Sequence, residues 1–251
     1  MENKTSPVES VDRALVLMMA MRDGGPLSVK AAAELLGVAP STAHRLLNSL
    51  AYRGFAAQSH DRTYRQGPEF SGRSAQPVST EQIRQVAQAA MQQLQAAAGE
   101  TVQLMVMYGG HIQFIDGVES KRTLRIGKLV GNLMPAFVSA GGKAMLARMT
   151  NTQLEDLYRS GLLSWSTSKI TTPSLLKRHM TKVRRDGFGA SIEETEQGVM
   201  GLGVSINDPH GVPVAALTIA TPSVRFDRSA VNANVEALHR AAATVTEALY
   251  R

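Results

Sequence analysis

The sequence predicts an α+β chain of two domains: an N-terminal winged helix-turn-helix, then a larger domain built on an antiparallel sheet. Three observations carry that expectation. Two short helical runs joined at Gly37 precede two brief strand-like runs early in the chain. The small, polar stretch Ser71-Gly72-Arg73-Ser74-Ala75-Gln76-Pro77 then has linker chemistry. Beyond it, alternating apolar runs and helical periods mix in the order of an α+β fold. The expected boundaries are 7–70 for the first domain, 71–80 for the linker and 81–251 for the second domain.

The chain opens with an apolar helical run, Ser10 to Met21, that Asp23-Gly24-Gly25-Pro26 terminates. Ser28 is placed to cap a second helix, Val29 to Leu36, whose Ala31, Ala32 and Leu35 could face a core. Gly37 ends it, because the residue beyond a helix often needs a positive φ that glycine takes cheaply. A third helix begins at Pro40, where the missing N–H costs nothing. At about 100° per residue, Ala43, Leu46, Leu47 and Leu50 share one face of it. Ser41, His44, Arg45 and Asn48 share the other, with Thr42 and Ser49 at its margin.

That outer face has the chemistry of a major-groove reader. Arginine forks onto guanine, asparagine onto adenine, and serine or threonine reaches base or phosphate. An ordinary amphipathic helix with a solvated face would look similar in isolation. The flanks decide for DNA. Phe55 to Gln58 and Tyr64 to Gln66 form a hairpin around Ser59-His60-Asp61-Arg62-Thr63, which after a helix-turn-helix is a wing. The expected DNA contacts are therefore Ser41, Thr42, His44, Arg45 and Asn48, with Arg62 at the wing tip.

In the second domain Ser79 and Gln82 form a capping-box pattern, and Ile83, Val86, Ala90, Met91, Leu94 and Ala98 keep helical spacing to Gly99. Val102 to Tyr108 and Ile112 to Val118 read as strands joined at Gly109-Gly110, a pair suited to a tight hairpin turn. Leu124 to Val130 reads as a third strand. Helices are expected at Ser139–Met149, Thr152–Ser160 and Ser174–Asp186. Strands follow at Phe188 to Glu193, Val199 to Asn207 and Val212 to Thr221, then a helix capped by Asp227 that runs to Leu249.

Composition bounds the function class. With 251 residues, 43% of them hydrophobic, the chain can bury a sizeable core. It contains no cysteine, so disulfides and thiolate-held metals are excluded, in keeping with a reducing compartment. The N-terminus lacks a signal-peptide core, and the longest apolar run, Val212 to Ala220, is too short to span a bilayer. The expectation is a cytoplasmic protein without membrane contact.

The net charge of +6 agrees with a polyanionic partner but does not locate it. Residues 1–72 carry eight basic groups against seven acidic ones. From Lys121 to Arg185 the only acids are Glu155 and Asp156, so the basic excess lies there.

Catalytic and cofactor signatures are weak. Two Ser-x-x-Lys matches, Ser166 to Lys169 and Ser174 to Lys177, lack the companion motifs of that chemistry. Gly142-Lys143 has neither the first glycine nor the hydroxyl residue of a phosphate loop. Gly201-x-Gly203 lies inside a strand and reads as a close-packing feature. The six histidines show no paired ligand spacing. No cofactor, metal or catalytic residue is expected, although an enzyme with an accessory winged helix is the competing class.

Together, Ser10-Val-Asp-Arg-Ala-Leu, the segment Ala33 to Leu50 and the wing ending Tyr64-Arg65-Gln66-Gly67-Pro68 resemble the N-terminal domain of IclR-type bacterial regulators. Gly99-Glu100-Thr101-Val102, Met134-Pro135, Gly142 to Ala147, Asp186-Gly187-Phe188, Glu193-Glu194 with Gly198, and Ala215 to Ile219 with Pro222 resemble that family's effector domain in order and spacing. The resemblance implies a GAF-like sensor fold, a double-stranded DNA operator, a small-molecule effector, and a homodimer or dimer of dimers. The connecting stretch is less apolar than the family's usual helix.

The resemblance also implies an effector pocket lined by Met134, Phe137, Ala140, Gly141, Ser191, Gly201, Thr218 and Ala220. Phe137 stands where the family often has histidine, Ser191 where acid is common, Gly201 where cysteine is common, and Ala220 where serine is common. These changes remove polar groups and open space. Neutral drift in a core would produce them too. A functional reading makes the effector an aromatic or apolar carboxylic acid, its carboxylate held by the glycine-rich helix start. The large side chains of the first helix further suggest that it pairs with its own copy.

Overall fold

The computed structural model describes residues 8–58, 62–66, 78–159 and 161–251. The chain divides into two compact units, Met1–Pro77 and Val78–Arg251.

The first unit holds helices α1 (Glu9–Gly24), α2 (Val29–Leu36) and α3 (Pro40–Tyr52), then strands β1 (Ala56–Gln58) and β2 (Tyr64–Gln66). Local chemistry sets the boundaries. Ser28 Oγ accepts from Ala31 N at 3.1 Å, and Gly37 turns the chain with φ 62°. Leu17, Met21, Ala32, Ala33, Ala43, Leu47, Leu50, Ala56 and Tyr64 form the core. Leu35, expected inside, is 51% exposed, and Ala33 takes the buried position instead. Backbone bonds between Leu27 and Tyr64, of 2.6 and 2.8 Å, tie β2 to the segment before α2.

The second unit begins with α4 (Thr80–Ala98), entered through a complete Ser79–Gln82 capping box and left through Gly99 at φ 70°. Val78 is buried in this unit's core, so residues 78–80 belong to it rather than to the linker. Residues 71–77 lie outside the described residues. Next come β3 (Thr101–Tyr108) and β4 (His111–Val118). Gly109 and Gly110 both adopt positive φ, as a type I′ hairpin requires. Then follow β5 (Leu133–Pro135), a 3₁₀ turn at Ala136–Val138, α5 (Ala140–Leu146), α6 (Asn151–Leu157) and α7 (Pro173–Asp186). The chain closes with β6 (Gly189–Ile192), β7 (Val199–Asn207), β8 (Pro213–Pro222) and α8 (Val231–Leu249).

These six strands form one antiparallel sheet in the order β5-β4-β3-β8-β7-β6. Strand side chains alternate between faces. Val102, Leu104 and Val106 of β3, Leu202, Val204 and Ile206 of β7, and Ala215, Leu217 and Ile219 of β8 pack with α4 and α8. The intervening Met105 and Ala216 meet a second core with Phe137, Met145, Leu146, Leu176 and Met180 on the opposite face. The second face holds the candidate ligand site.

Two expected elements differ. Leu124 to Val130 is an irregular loop, not a strand. Its carbonyls at Ile126 and Gly127 accept from the side chains of Thr101 (2.6 Å) and Gln103 (3.3 Å) instead of joining a ladder. Asp227 does not cap α8 either. Its carboxylate accepts from Ser229 N at 2.8 Å and Ser229 Oγ at 2.7 Å, forming a turn before the helix starts at Val231.

Candidate functional site

Helix α3 presents Ser41, His44, Arg45, Asn48 and Ser49 to solvent, while Ala43, Leu47 and Leu50 are buried. Thr42 lies half-buried at the margin. Five of the six expected DNA contacts thus share one surface strip. The sixth, Arg62, is exposed in the hairpin segment with φ 63°. The rest of the turn, residues 59–61, lies outside the described residues.

One contact on this strip was not legible in the sequence. The buried phenol of Tyr64 donates to Asn48 Oδ1 at 2.7 Å, and Asn48 Nδ2 faces His44 Nε2 at 3.4 Å. Burial pushes the Tyr64 phenol above its ordinary pKa, so it remains an O–H donor.

In the second unit, Gln103 and Met105 of β3, Phe114 of β4, Ser191 of β6, Val199 and Gly201 of β7, and Thr218 and Ala220 of β8 floor a small cavity. Ser139 and Ala140 at the start of α5 wall it, with Thr195 from the β6–β7 turn. Ile126 and Leu129 of the loop 119–132 cover it. The cavity measures about 40 Å³, room for a water or two. Every polar side chain lining it is neutral. Ser191 Oγ and Thr218 Oγ1 are buried there without a hydrogen-bond partner, which is costly for hydroxyls.

The cover is fastened by many polar contacts. Besides the Thr101 and Gln103 bonds, Ser120 Oγ donates to Gly99 O at 2.7 Å. Glu119 accepts from Arg125 Nε at 2.9 Å and Lys128 N at 3.1 Å, and the Arg125 bond chiefly holds its carboxyl below the usual pKa. Arg225 forks onto Glu100 at 2.6 and 2.8 Å and donates to Leu124 O at 2.9 Å. The bonds from Thr101, Gln103 and Arg225 satisfy the carbonyls of Ile126, Gly127 and Leu124, which join no ladder.

Five of the eight expected effector contacts converge on this cavity: Ala140, Ser191, Gly201, Thr218 and Ala220. Met134, Phe137 and Gly141 do not line it. Phe137 packs edge-on against Tyr158, ring centroids 6.0 Å apart, and Met134 joins the same core. At Gly141 an added Cβ would come within 2.6 Å of Met105 Sδ and 2.9 Å of Thr218 Cγ2, so it faces the sheet.

The helix start is also engaged. Ser139 Oγ accepts from Gly142 N at 2.9 Å, and Ser139 O accepts from Lys143 N at 2.9 Å. Gly141 N lies against Gly203, whose added Cβ would be 2.6 Å from it. The Gly142 and Lys143 amides are therefore already engaged within the helix start. Gly203 confirms the close-packing reading of Gly201-x-Gly203: without side chains, helix and strand backbones touch.

Lys143 of α5 also has a structural explanation. It is fully buried, with Nζ 2.7 Å from both carboxylate oxygens of Glu194 and 2.8 Å from Ala190 O. Desolvation lowers its pKa, against the opposing pull of Glu194. Of the Ser-x-x-Lys pairs, Lys177 is engaged by Glu155, and Ser166 and Lys169 are exposed on a loop. Among the described residues no helix is long and apolar enough to cross a membrane.

A winged helix-turn-helix followed by a separate α+β domain with a small internal cavity defines a class: transcriptional regulators that couple a ligand to DNA. The IclR helix-turn-helix domain matches residues 10–60, and the bacterial transcriptional regulator IclR C-terminal domain matches residues 75–247. The chain belongs to the IclR family of bacterial transcriptional regulators. It is 26% identical over 245 residues to the HTH-type transcriptional regulator XynR of Escherichia coli K12, covering 96% of this chain and 97% of that protein. It is 26% identical over 234 residues to the transcriptional repressor IclR of the same strain, covering 88% and 83%. The fold matches a Microbacterium hydrocarbonoxydans IclR homologue solved with 4-hydroxybenzoate, at TM-score 0.61 and 22% identity over 96% of this chain and 98% of that one.

Proposed function

We propose that the second unit binds an aromatic or apolar carboxylic acid in the cavity under loop 119–132, and that this binding changes operator affinity. One observation carries the proposal: the unpartnered hydroxyls of Ser191 and Thr218 lie buried in a largely apolar cavity. A carboxylate supplies the acceptors these hydroxyls lack. With no charged side chain in the lining, hydroxyls take over the anchoring role expected of the helix start. Met105, Phe114, Ile126 and Leu129 cover the apolar body. The homologue solved with 4-hydroxybenzoate supports this chemistry. At about 40 Å³ the closed cavity cannot hold such a molecule, so loop 119–132 must move for it to enter.

The role is regulatory rather than catalytic, in a cytoplasmic homodimer or dimer of dimers. The dimer reading rests on α1. Val11, Leu15 and Met19 follow helical spacing and are each more than half exposed, as is Val8 just before the helix. A paired α1 would bury this stripe and present two recognition helices to two half-sites.

Calorimetric titration of the full chain with 4-hydroxybenzoate and with glyoxylate tests the ligand class. The aromatic acid should bind more tightly, and Ser191→Ala with Thr218→Val should abolish its binding. Tight glyoxylate binding, or unchanged binding by the double variant, would refute the assignment.

A further inference from the structure

We propose that Tyr64, a wing residue buried beneath the recognition helix, sets the base preference of Asn48 by fixing which end of its amide faces DNA. The inference rests on reading α3 as the DNA-contacting helix. Asn48 is exposed on the same strip as Arg45, and its side chain is held from below by a core residue. The phenol is 1% exposed and its backbone is bonded in both directions to Leu27, so its hydroxyl has little freedom to follow Asn48. The hydroxyl lies 2.7 Å from Oδ1 of the Asn48 amide and donates to it.

The polarity then propagates. With Oδ1 turned toward Tyr64, Nδ2 is the outer end, and one of its hydrogens is directed at His44 Nε2, 3.4 Å away. His44 accepts there in the tautomer that carries its proton on Nδ1. The other Nδ2 hydrogen is left for a base.

This alters what Asn48 can read. The usual asparagine–adenine fork donates from Nδ2 to N7 and accepts at Oδ1 from N6. Here the accepting half of the fork is turned into the protein. Asn48 therefore acts as a donor, suited to a guanine O6 or N7, an adenine N7 or a thymine O4, without the second contact to adenine N6, and does not read the cytosine amino group. Tyr64 is a positioning residue in this scheme and touches no base itself.

The test is selection from a pool of randomised duplexes, followed by sequencing, with full-length wild type, Asn48→Ala and Tyr64→Phe. Phenylalanine keeps the ring that fills the core. Asn48→Ala should change preference at one base pair per half-site and so identify the pair that Asn48 reads. Tyr64→Phe should change preference at that same pair, raising adenine about fivefold or more as the freed amide forks onto it, and leave other pairs unaltered. A purely structural role would lower affinity for all sequences together. The proposal is overturned if Tyr64→Phe keeps the wild-type preference at the Asn48 pair, or if it weakens all sequences evenly. If Asn48→Ala itself changes no pair, the base-reading role of Asn48 fails first, and the inference with it.

Discussion

Lys143 and Glu194 form a buried ion pair that joins α5 to the β6–β7 turn, with Nζ 2.7 Å from each carboxylate oxygen. The residue after Glu194, Thr195, lines the cavity, so the pair helps hold one of its walls. Removing one partner leaves the other charge buried and unpaired. Glu194→Gln or Lys143→Met should cost about 3–5 kcal/mol by urea denaturation. The double variant Lys143→Met with Glu194→Leu should cost less than either alone, because no lone charge remains. A double variant worse than both singles would contradict this account.

Acid should weaken the second unit through two histidines. Burial lowers the pKa of His111, and burial followed by the Lys143 charge lowers that of His179, both from 6.5. A lowered histidine pKa means the unfolded chain binds more protons. Stability is then complete above pH 6.5, falls as pH drops through the folded pKa values, and levels below them. Denaturant midpoints across this range should show the decline, and His179→Gln should flatten it. A slope unchanged in that variant would exclude His179 as a contributor.

Thr218→Val should have opposite effects on stability and on binding. The unpartnered Thr218 hydroxyl is buried, so its removal should stabilise the ligand-free protein by about 1 kcal/mol. The same change should remove the midpoint increase that 4-hydroxybenzoate gives wild type, because a ligand stabilises only the state that binds it. Loss of both stability and binding would mean that the hydroxyl is structural.

The proposed pairing of α1 with its copy predicts that the wild type is dimeric at micromolar concentration and Leu15→Lys monomeric, measured by sedimentation equilibrium. Leu15 is 51% exposed in the apolar stripe, so the substitution costs a lone copy little. A variant that stays dimeric would place the interface elsewhere.

Helix ends and strand faces were legible in the sequence because adjacent residues set them. Ser28, Gly37, Pro40, the Ser79–Gln82 box and Gly109-Gly110 each act within a few residues of the boundary they define. Features that depend on distant partners were not. Leu124 to Val130 alternates like a strand, yet Thr101, Gln103 and Arg225 claim its carbonyls.

The floor of the pocket, Ser191, Gly201, Thr218 and Ala220, was expected from the family resemblance alone, and the strand register, which pairs Gly201 with both Ser191 and Ala220, brings these positions together. Phe137 and Gly141 do not line this cavity because a short 3₁₀ turn and a tightly packed helix start set their directions. Gln103, a polar residue among the apolar Val102, Leu104, Met105 and Val106, is the signal in the sequence that points to a site. Tyr64 gave no sign of its bond to Asn48, sixteen positions away.

The most direct test of the whole account measures operator affinity with and without 4-hydroxybenzoate, using a duplex selected by the wild-type protein. Binding linkage requires that a ligand altering DNA affinity be altered equally by DNA. Wild type should show a ligand-dependent change in Kd for the duplex, and a reciprocal change in ligand affinity when the duplex is present. The variant Ser191→Ala with Thr218→Val should keep the ligand-free DNA Kd and show no ligand-dependent change. A wild-type Kd that does not move when the ligand is bound, or a double variant that responds as wild type does, would contradict control of DNA binding from this cavity.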